Sequence, residues 1–412
     1  MPSVCFYFHV HQPFRLKWRS RFDATSDLDY FDEDKNAEIM RKVAHKCYLP
    51  MNQLLTDLAK QYAPGFKVSF SISGVAIEQM KLYAPEVLDS FKRLVDTGSV
   101  ELVAETYYHS LASLYSKEEF VEQVKRQVIT LESVFGQRPT VFRNTELIYS
   151  DEISCMVADL GFKAMLAEGA DDILDWRSPN FIYKSPHSDL RILTKNYRLS
   201  DDIAFRFSNR GWNEFPLNAE KYASWVHQIS GNGQVLNLFM DYETFGEHQW
   251  ADSGIFEFMR HLPQYIYSKP DWKFSTLSEA VAEYQPVADL SYHRVTSWAD
   301  LERDTSAWNG NRMQRKALDA IYAISEQVLS SGDPHLVHIW RKLQTSDHFY
   351  YMCTKWFSDA DVHNYFSHVK NPYEAFIMFM NCHRDFKSVC AQPTLGRTVD
   401  ENILSGKTSA VR

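Results

Sequence analysis

Short apolar segments alternate with longer amphipathic ones over about the first 290 positions. The apolar segments are the length of strands, and Lys67–Ser73 alternates with period two, which is typical of a β-strand. We predict strands at 4–10, 67–73, 100–104, 139–142, 162–168, 191–194, 235–240 and 272–275. Helical spacing of apolar residues predicts helices at 32–62, 77–96, 117–135, 150–160, 199–208, 217–229, 253–266 and 276–284. This repeated alternation predicts a parallel α/β fold, closed or nearly closed into a barrel.

Two stretches fit this alternation less well. Pro50 lies inside the helical pattern of 32–62, where a proline is expected to break or kink the helix. The stretch 169–215 is long and polar, with only a short strand and one helix predicted in it. We interpret it as an insertion beside the active site.

The pattern changes after about residue 290. A turn-rich junction at 297–311 is followed by apolar residues at helical spacing in 313–329, and Asn371-Pro372 starts a further helix. We therefore predict a barrel at 1–290, a helical domain of about three helices at 291–390 that completes the cleft, and a polar tail at 391–412.

Carboxylates follow two of the predicted strands. Glu146 comes after the strand at 139–142, and Asp241 follows directly after the strand at 235–240. The carboxyl ends of parallel strands are where barrel active sites are built, so the fold can bring these two groups together. A pair of acidic groups flanking one bond is what glycoside hydrolysis requires. The non-catalytic alternatives are that Asp241 is a surface residue at a strand end and that Glu146 is a carboxylate at the start of a helix, where it interacts with the helix dipole.

Other strands also end in chemically useful residues. His9 and His11 lie two positions apart on the first strand and so point to the same side. Glu101 lies inside an apolar strand, where an acidic residue is rare unless it is paired or used. The end of that strand, Glu105 to Ser110, concentrates polar and aromatic residues that include His109. Metal binding by the histidines is the alternative to ordinary hydrogen bonding.

Composition narrows the class of protein. The 412 residues are 45% hydrophobic and 14% aromatic, enough for a large core and for sugar-stacking surfaces. The net charge of −9 argues against a nucleic-acid surface. None of the six cysteines forms a C-x-x-C pair, and no apolar run approaches a membrane span or a signal peptide. We expect a cytoplasmic protein without a membrane or nucleic-acid partner, and the oligomeric state stays open.

Several of these segments together resemble family 57 of the glycoside hydrolases. The segments are His9-Val10-His11-Gln12-Pro13, Glu101 with Tyr107-Tyr108-His109, Phe142-Arg143-Asn144-Thr145-Glu146, Asp241-Tyr242-Glu243-Thr244-Phe245-Gly246 and Trp298 to Asn311. The resemblance spans roughly residues 3–385 and looks most like the compact α-amylase group. It implies an incomplete parallel (β/α)7 barrel with a C-terminal α-helical bundle domain.

The resemblance also implies roles for these residues. Glu146 would be the nucleophile and Asp241 the general acid/base of a retaining hydrolase that acts on an α-glucan or maltooligosaccharide. Asp241 then needs a raised pKa, which neighbouring Phe239, Tyr242 and Phe245 would favour. We expect eight residues to bind substrate: His9, His11, Glu101, His109, Arg143, Glu243, Trp308 and Asp347. The alternatives are that His9 and His11 orient the nucleophile and that Glu243 is a support residue.

Two of these residues come from the predicted helical domain. Trp308 either stacks on a sugar ring or packs in the core at the domain junction. Asp347 belongs to the polar run Gln344 to His348, which either closes the cleft over the barrel or forms an ordinary helix end.

Three alternatives remain open at the level of sequence. The same family contains 4-α-glucanotransferases and branching enzymes. A metal-dependent polysaccharide deacetylase also places His and Asp at strand ends, and would need a third ligand such as Asp241 or His109 near His9 and His11. A catalytically silent glucan-binding protein would keep the fold without releasing sugar. Our expectation is a hydrolase with no cofactor and no metal.

Overall fold

The structure is a computed structural model that describes residues 1–20, 22, 27–355 and 368–391. Apart from Ala391, the predicted polar tail lies outside the described residues. No helix in the described ranges is long and apolar enough to cross a membrane.

Parallel β-sheet forms the centre of the first 290 residues. The strands are β1 (Ser3–Val10), β2 (Val68–Ile72), β3 (Val100–Leu102), β4 (Val141–Phe142), β5 (Ala164–Glu168), β6 (Ile182–Lys184), β7 (Arg191–Lys195), β8 (Val235–Asp241) and β9 (Lys273–Phe274). One sheet has the order β3-β2-β1-β8, with β9 also paired to β1, and the other has the order β4-β5-β7-β6. All pairs are parallel except β6 with β7.

Helices follow most of the strands, as the alternation predicts. The helices are α1 (Glu33–Val43), α2 (Leu49–Gln61), α3 (Gly74–Tyr83), α4 (Pro85–Val95), α5 (Ala112–Tyr115), α6 (Lys117–Phe135), α7 (Asp151–Asp159), α8 (Asp171–Leu174), α9 (Tyr197–Ala204), α10 (Ala219–His227), α11 (Ile255–Ile266), α12 (Leu277–Glu283), α13 (Ser306–Asn309), α14 (Arg312–Tyr322), α15 (Ser325–Ser330), α16 (Pro334–Lys342), α17 (Ser346–Tyr350) and α18 (Pro372–Cys390). Within the described residues, the chain after β9 contains helices and isolated bridges but no strand.

The two sheets adjoin in two places. Ala104, just after β3, forms a parallel bridge with Phe142 of β4. In the second place, the amide of Asn196 after β7 donates to the carbonyl of Asn237 in β8 at 2.9 Å. Apolar residues from both sheets, among them Tyr7 and Leu166, pack together in one fully buried cluster. The carboxyl ends of the strands are therefore brought to one side of a shared core.

Two local predictions need correction. Pro50 does not break the helix, because it lies in the first turn of α2, where its missing N–H is not needed, and a π-helical turn at Ala44–Tyr48 joins α1 to α2. The sequence pattern also missed β6, a three-residue strand that pairs antiparallel with β7 inside the stretch 169–215.

Candidate active site

A cleft of about 490 Å³ opens at the carboxyl ends of β1 and β8. Eight of the ten residues predicted for the site line this cleft: Glu146, Asp241, His9, His11, His109, Glu243, Trp308 and Asp347. Two others, Glu101 and Arg143, are not among its lining residues. The fold thus brings together carboxylates and histidines from five separate parts of the chain.

Glu146 lies in a 3-10 turn at Thr145–Leu147, four residues after the end of β4. Its φ of 57° is left-handed, which is uncommon for a residue with a side chain and is found at functional sites. The indole N–H of Trp298 donates to Glu146 Oε2 at 2.9 Å, and the hydroxyl of Ser346 lies 3.1 Å from Oε1. Burial raises the pKa of Glu146 above its usual value, although the nearby Arg143 guanidinium opposes that rise.

Asp241 is the last residue of β8 and is paired in register with His9 of β1. The imidazole Nδ1 of His9 lies 3.2 Å from Asp241 Oδ1, and 39% of the Asp241 side chain is exposed to the cleft. Burial favours a higher pKa for Asp241, but the hydrogen bond and charge of His9 outweigh it, so the pKa falls below its usual value. The sequence-based expectation of a raised pKa is therefore wrong for the free protein.

His9 is held between two carboxylates. Its Nε2 atom lies 3.5 Å from Glu105 Oε2, while Nδ1 faces Asp241. Burial and the charge of Arg143 both lower the pKa of His9, but the two carboxylates outweigh them and raise it to about 9. At neutral pH His9 is therefore a cation that bridges Glu105 and Asp241.

Three histidine rings form a stack along one wall of the cleft. The ring centroids of His11 and His109 are 3.9 Å apart at 15°, and those of His9 and His109 are 4.9 Å apart at 22°. Their nitrogen lone pairs therefore lie in nearly parallel planes and do not converge on one point, as the ligands of a metal ion would.

Two sets of side chains are nevertheless close enough to hold an ion by distance alone. One is His9 with Glu105 and His109, and the other is His11 with His109 and Asp347. A positive charge already lies beside the first set, because Arg143 Nη1 is 3.1 Å from His109 Nε2 and 3.9 Å from Glu105 Oε2. Ring geometry and charge both disfavour a cation at these positions.

Arg143 lies behind the histidine stack and has no exposed surface. Its guanidinium contacts His109 and stands 4.8 Å from the centroid of the Trp298 ring. Arg143 does not reach the cleft from this position, which is contrary to our prediction that it binds substrate.

Glu243 and Asp347 both line the cleft but have different partners. Glu243 accepts hydrogen bonds from Gln12 Nε2 at 3.2 Å and from the hydroxyl of Tyr48. Burial and then the charge of Asp241 raise the pKa of Glu243 to about 7. Asp347 lies 2.9 Å from His11 Nε2, and this contact keeps its pKa below the usual value despite burial.

Glu101 and Trp308 do not lie as the sequence led us to expect. The carboxylate of Glu101 accepts hydrogen bonds from the Ser69 hydroxyl at 3.0 Å and from the Ser278 amide in the first turn of α12 at 3.1 Å. Glu101 is therefore a structural anchor away from the cleft, which corrects its predicted place in the site. Trp308 borders the cleft but is only 1% exposed, so its ring faces are covered by protein.

Four residues near the carboxylates were not predicted individually: Glu105, Lys195, Trp298 and Ser346. Three of them lie in segments that the sequence had singled out, namely the end of β3, the junction after residue 297 and the polar run at 344–348. Lys195 directly follows the predicted strand at 191–194, but the sequence did not single it out, because a lysine at a strand end is usually an ordinary surface residue.

Comparison with known proteins gives consistent results. The sequence model of glycosyl hydrolase family 57 matches residues 5–291. A protein of Methanocaldococcus jannaschii named "Putative alpha-amylase" is 44% identical over 396 residues, which cover 93% of this chain and 84% of that protein.

Solved structures match the fold at low sequence identity. A family 57 branching enzyme from Thermococcus kodakaraensis superposes with a TM-score of 0.71 at 14% identity, covering 94% of this chain and 90% of that one. The 4-alpha-glucanotransferase of Thermococcus litoralis gives a TM-score of 0.58 at 16% identity, covering 92% of this chain and 55% of that one. At these identities the likeness concerns the fold alone.

Proposed function

The chain belongs to glycoside hydrolase family 57, and we propose that it hydrolyses α-1,4-glucosidic bonds of maltodextrin, starch or glycogen with retention of configuration. One observation carries the proposal. The carboxylates of Glu146 and Asp241 line the same cleft, and each is oriented by a hydrogen bond from another element. Two oriented carboxyl groups on either side of a sugar are the machinery of glycoside hydrolysis.

The reaction runs in two displacements. In the first, Glu146 attacks the anomeric carbon while Asp241 gives its proton to the departing glycosidic oxygen. The bond to the leaving sugar breaks as the bond to Glu146 forms. In the second, Asp241 takes a proton from water, and the resulting hydroxyl displaces Glu146 from the same carbon. Both steps need the carboxyl groups about 5–5.5 Å apart, which is the separation we predict.

The remaining site residues receive supporting roles. Asp347 can accept hydrogen bonds from sugar hydroxyls, His11 holds its carboxylate in place, and His109 stacks on the His11 ring behind it. His9 holds Asp241, and Glu243 fixes Gln12 and Tyr48 beneath the cleft. We no longer assign substrate contact to Glu101, Arg143 or the ring faces of Trp308.

The finer description of the fold is part of this proposal. We propose that residues 1–290 form an incomplete (β/α)7 barrel and that 291–390 form a helical bundle that completes the cleft. The junctions between the two sheets support the barrel, and the bridge between Ser110 and Thr345 supports contact with the bundle. The substrate is taken to be an α-glucan because of the family, and the proposed location remains cytoplasmic.

Product analysis with maltoheptaose and with glycogen tests the proposal. We expect new reducing ends in proportion to time and shorter maltooligosaccharides that keep the α configuration when released. Redistributed chain lengths would assign a glucanotransferase, and new branch points a branching enzyme. Binding without product would assign a silent glucan-binding protein. Release of acetate from an acetylated polysaccharide, lost with chelator and restored by a divalent metal, together with no product from either glucan, would instead favour the deacetylase class.

A further inference from the structure

Both groups that hold the carboxylate of Glu146 come from the chain after residue 291, where the family match ends. Trp298 belongs to the segment that leads out of the barrel, and Ser346 is the first residue of α17. We propose that Trp298 and Ser346 are positioning residues that fix and orient the nucleophile from outside the barrel. This inference rests on the proposed function only where it calls Glu146 the nucleophile, because the contacts to the Glu146 carboxylate are present in the free protein.

The hydrogen bond from Ser346 has a direction that the surrounding groups determine. Arg143 can only donate, so His109 Nε2, 3.1 Å from Arg143 Nη1, must accept. A neutral imidazole whose Nε2 accepts a hydrogen bond carries its proton on Nδ1. In His109, Nδ1 lies 2.9 Å from Ser346 Oγ. Ser346 therefore accepts from His109, and its own hydroxyl proton is free to donate to Glu146 Oε1 at 3.1 Å.

Electrostatics support this tautomer. Burial, followed by the charges of His11, His9 and Arg143, lowers the pKa of His109 well below its usual value, so the ring stays neutral. The result is a one-way relay from Arg143 through His109 and Ser346 to Glu146. Such a relay fixes one oxygen of the carboxylate without placing a full positive charge on it.

Trp298 holds the other oxygen. Its indole N–H is a donor only and lies 2.9 Å from Glu146 Oε2, while its backbone amide donates to the Glu146 carbonyl at 3.3 Å. The guanidinium carbon of Arg143 and the ammonium of Lys195 lie 4.8 Å and 5.6 Å from the indole centroid. Cation–π contacts with these two groups stabilise the indole ring in the position from which its N–H donates to Glu146.

Donors on both oxygens have a consequence that can be measured. A hydrogen bond given to a carboxylate favours the ionised form, so its removal raises the pKa of Glu146. The other charged or titratable groups that face Glu146 are Arg143 just after β4, Asp347 on α17, His9 on β1 and His109 after β3. None of these groups changes in Ser346→Ala or Trp298→Phe, so a shift in these variants reports the lost donor.

The test is a carboxyl ¹³C titration of Glu146 in the full-length protein, with the resonance assigned by its loss in Glu146→Gln. We expect Ser346→Ala and Trp298→Phe each to move the titration of Glu146 to higher pH by about 1 unit. Ser346→Thr keeps the hydroxyl and should titrate like the wild type. Ser331→Ala is the matched control, because its hydroxyl donates to the Val328 carbonyl and accepts from the Asp333 amide, and neither partner belongs to the site.

A kinetic measurement accompanies the titration. The rate at which an activated maltosyl fluoride glycosylates Glu146 should fall about tenfold or more in Ser346→Ala and Trp298→Phe. Titrations of Glu146 that match the wild type in both folded variants would overturn the inference. The turnover of glucan by the wild type is measured separately. If the wild type releases no sugar, the proposed function is refuted, but the titration of Glu146 still decides whether Trp298 and Ser346 position its carboxylate.

Discussion

At the scale of single residues, the two carboxylates have pKa shifts in opposite directions in the free protein. Burial raises the pKa of Glu146, whereas the His9 cation brings that of Asp241 below its usual value despite burial. The proposed roles require the reverse order at the moment of reaction, with Glu146 ionised and Asp241 protonated. Substrate itself can supply the change, because a sugar ring removes water from the 39% exposed side chain of Asp241 and desolvation raises a carboxyl pKa.

If bound substrate raises the pKa of Asp241, the pH profiles of kcat and of kcat/KM should differ. The active form of the pair carries one proton, and bound substrate lets the pair keep that proton to higher pH. We expect the basic limb of kcat, which reports the complex, to lie at higher pH than the basic limb of kcat/KM, which reports the free protein. Coincident limbs would show that substrate does not change the ionisation of the pair.

The sequence predicted site residues that belong to a recognisable motif better than residues that reach the site only through the geometry of the fold. The sequence pointed to Glu146 and Asp241 because each follows a strand, and the fold places both in the cleft. It pointed to Glu101 because an acidic residue inside an apolar strand is rare, although Glu105, just beyond that strand, is the acidic residue that reaches His9. A difference of four positions at a strand end cannot be resolved without knowing where the strand stops.

At the scale of elements, glycine at 246 explains how the loop after β8 reaches its position. Gly246 has a φ of 109°, and a Cβ there would lie 1.9 Å from the carbonyl oxygen of Lys46 in the π-helical turn. Only glycine allows this close approach of two backbones. The motif glycine thus fixes the loop that carries Glu243 against the helix that carries Tyr48, which the pattern of apolar residues could not reveal.

Trp308 provides a prediction at the level of the helical elements. Because the ring is 1% exposed and packs among the helices after residue 291, Trp308→Ala should lower the free energy of unfolding by about 3–5 kcal/mol. Binding of maltodextrin, measured by calorimetry below the unfolding transition, should change little. Trp308→Phe is the control and should lose less stability. Weaker binding with unchanged stability would instead restore the stacking role.

At the scale of the whole molecule, ion pairs attach the helices after residue 291 to helices of the first 290 residues. Arg341 of α16 makes a two-point ion pair with Glu119 of α6, at 2.8 and 3.0 Å. Glu78 of α3 contacts His338 and Lys342 of α16 at 3.4 and 3.3 Å. The sequence predicted a helical region beside the strands, but long-range pairs of this kind depend on the packed fold and left no pattern.

Glu78 gives this attachment a predictable dependence on pH. Burial acts to raise the pKa of Glu78, but His338 and Lys342 prevail and lower it to about 2. A carboxyl with a depressed pKa stabilises the fold above its unfolded value of about 4.3 and loses that contribution as the pH falls toward 2. We expect the stability difference between wild type and Glu78→Gln to shrink over this window, as measured by urea unfolding. A constant difference would contradict the assignment.

The central claim is that Glu146 is the residue that becomes bonded to the sugar. Trapping that covalent intermediate tests the claim most directly. In Asp241→Ala an activated maltosyl fluoride should still react, because a good leaving group needs no proton donor, and the intermediate should accumulate for lack of a base. Peptide mass spectrometry should then find one maltosyl group on Glu146, and none in Asp241→Ala combined with Glu146→Gln. In the wild type, with a slowly hydrolysed 2-fluoro analogue of the same fluoride, the label should also be on Glu146. A sugar bonded to Asp241 or any other residue would contradict the assignment of Glu146 as the nucleophile.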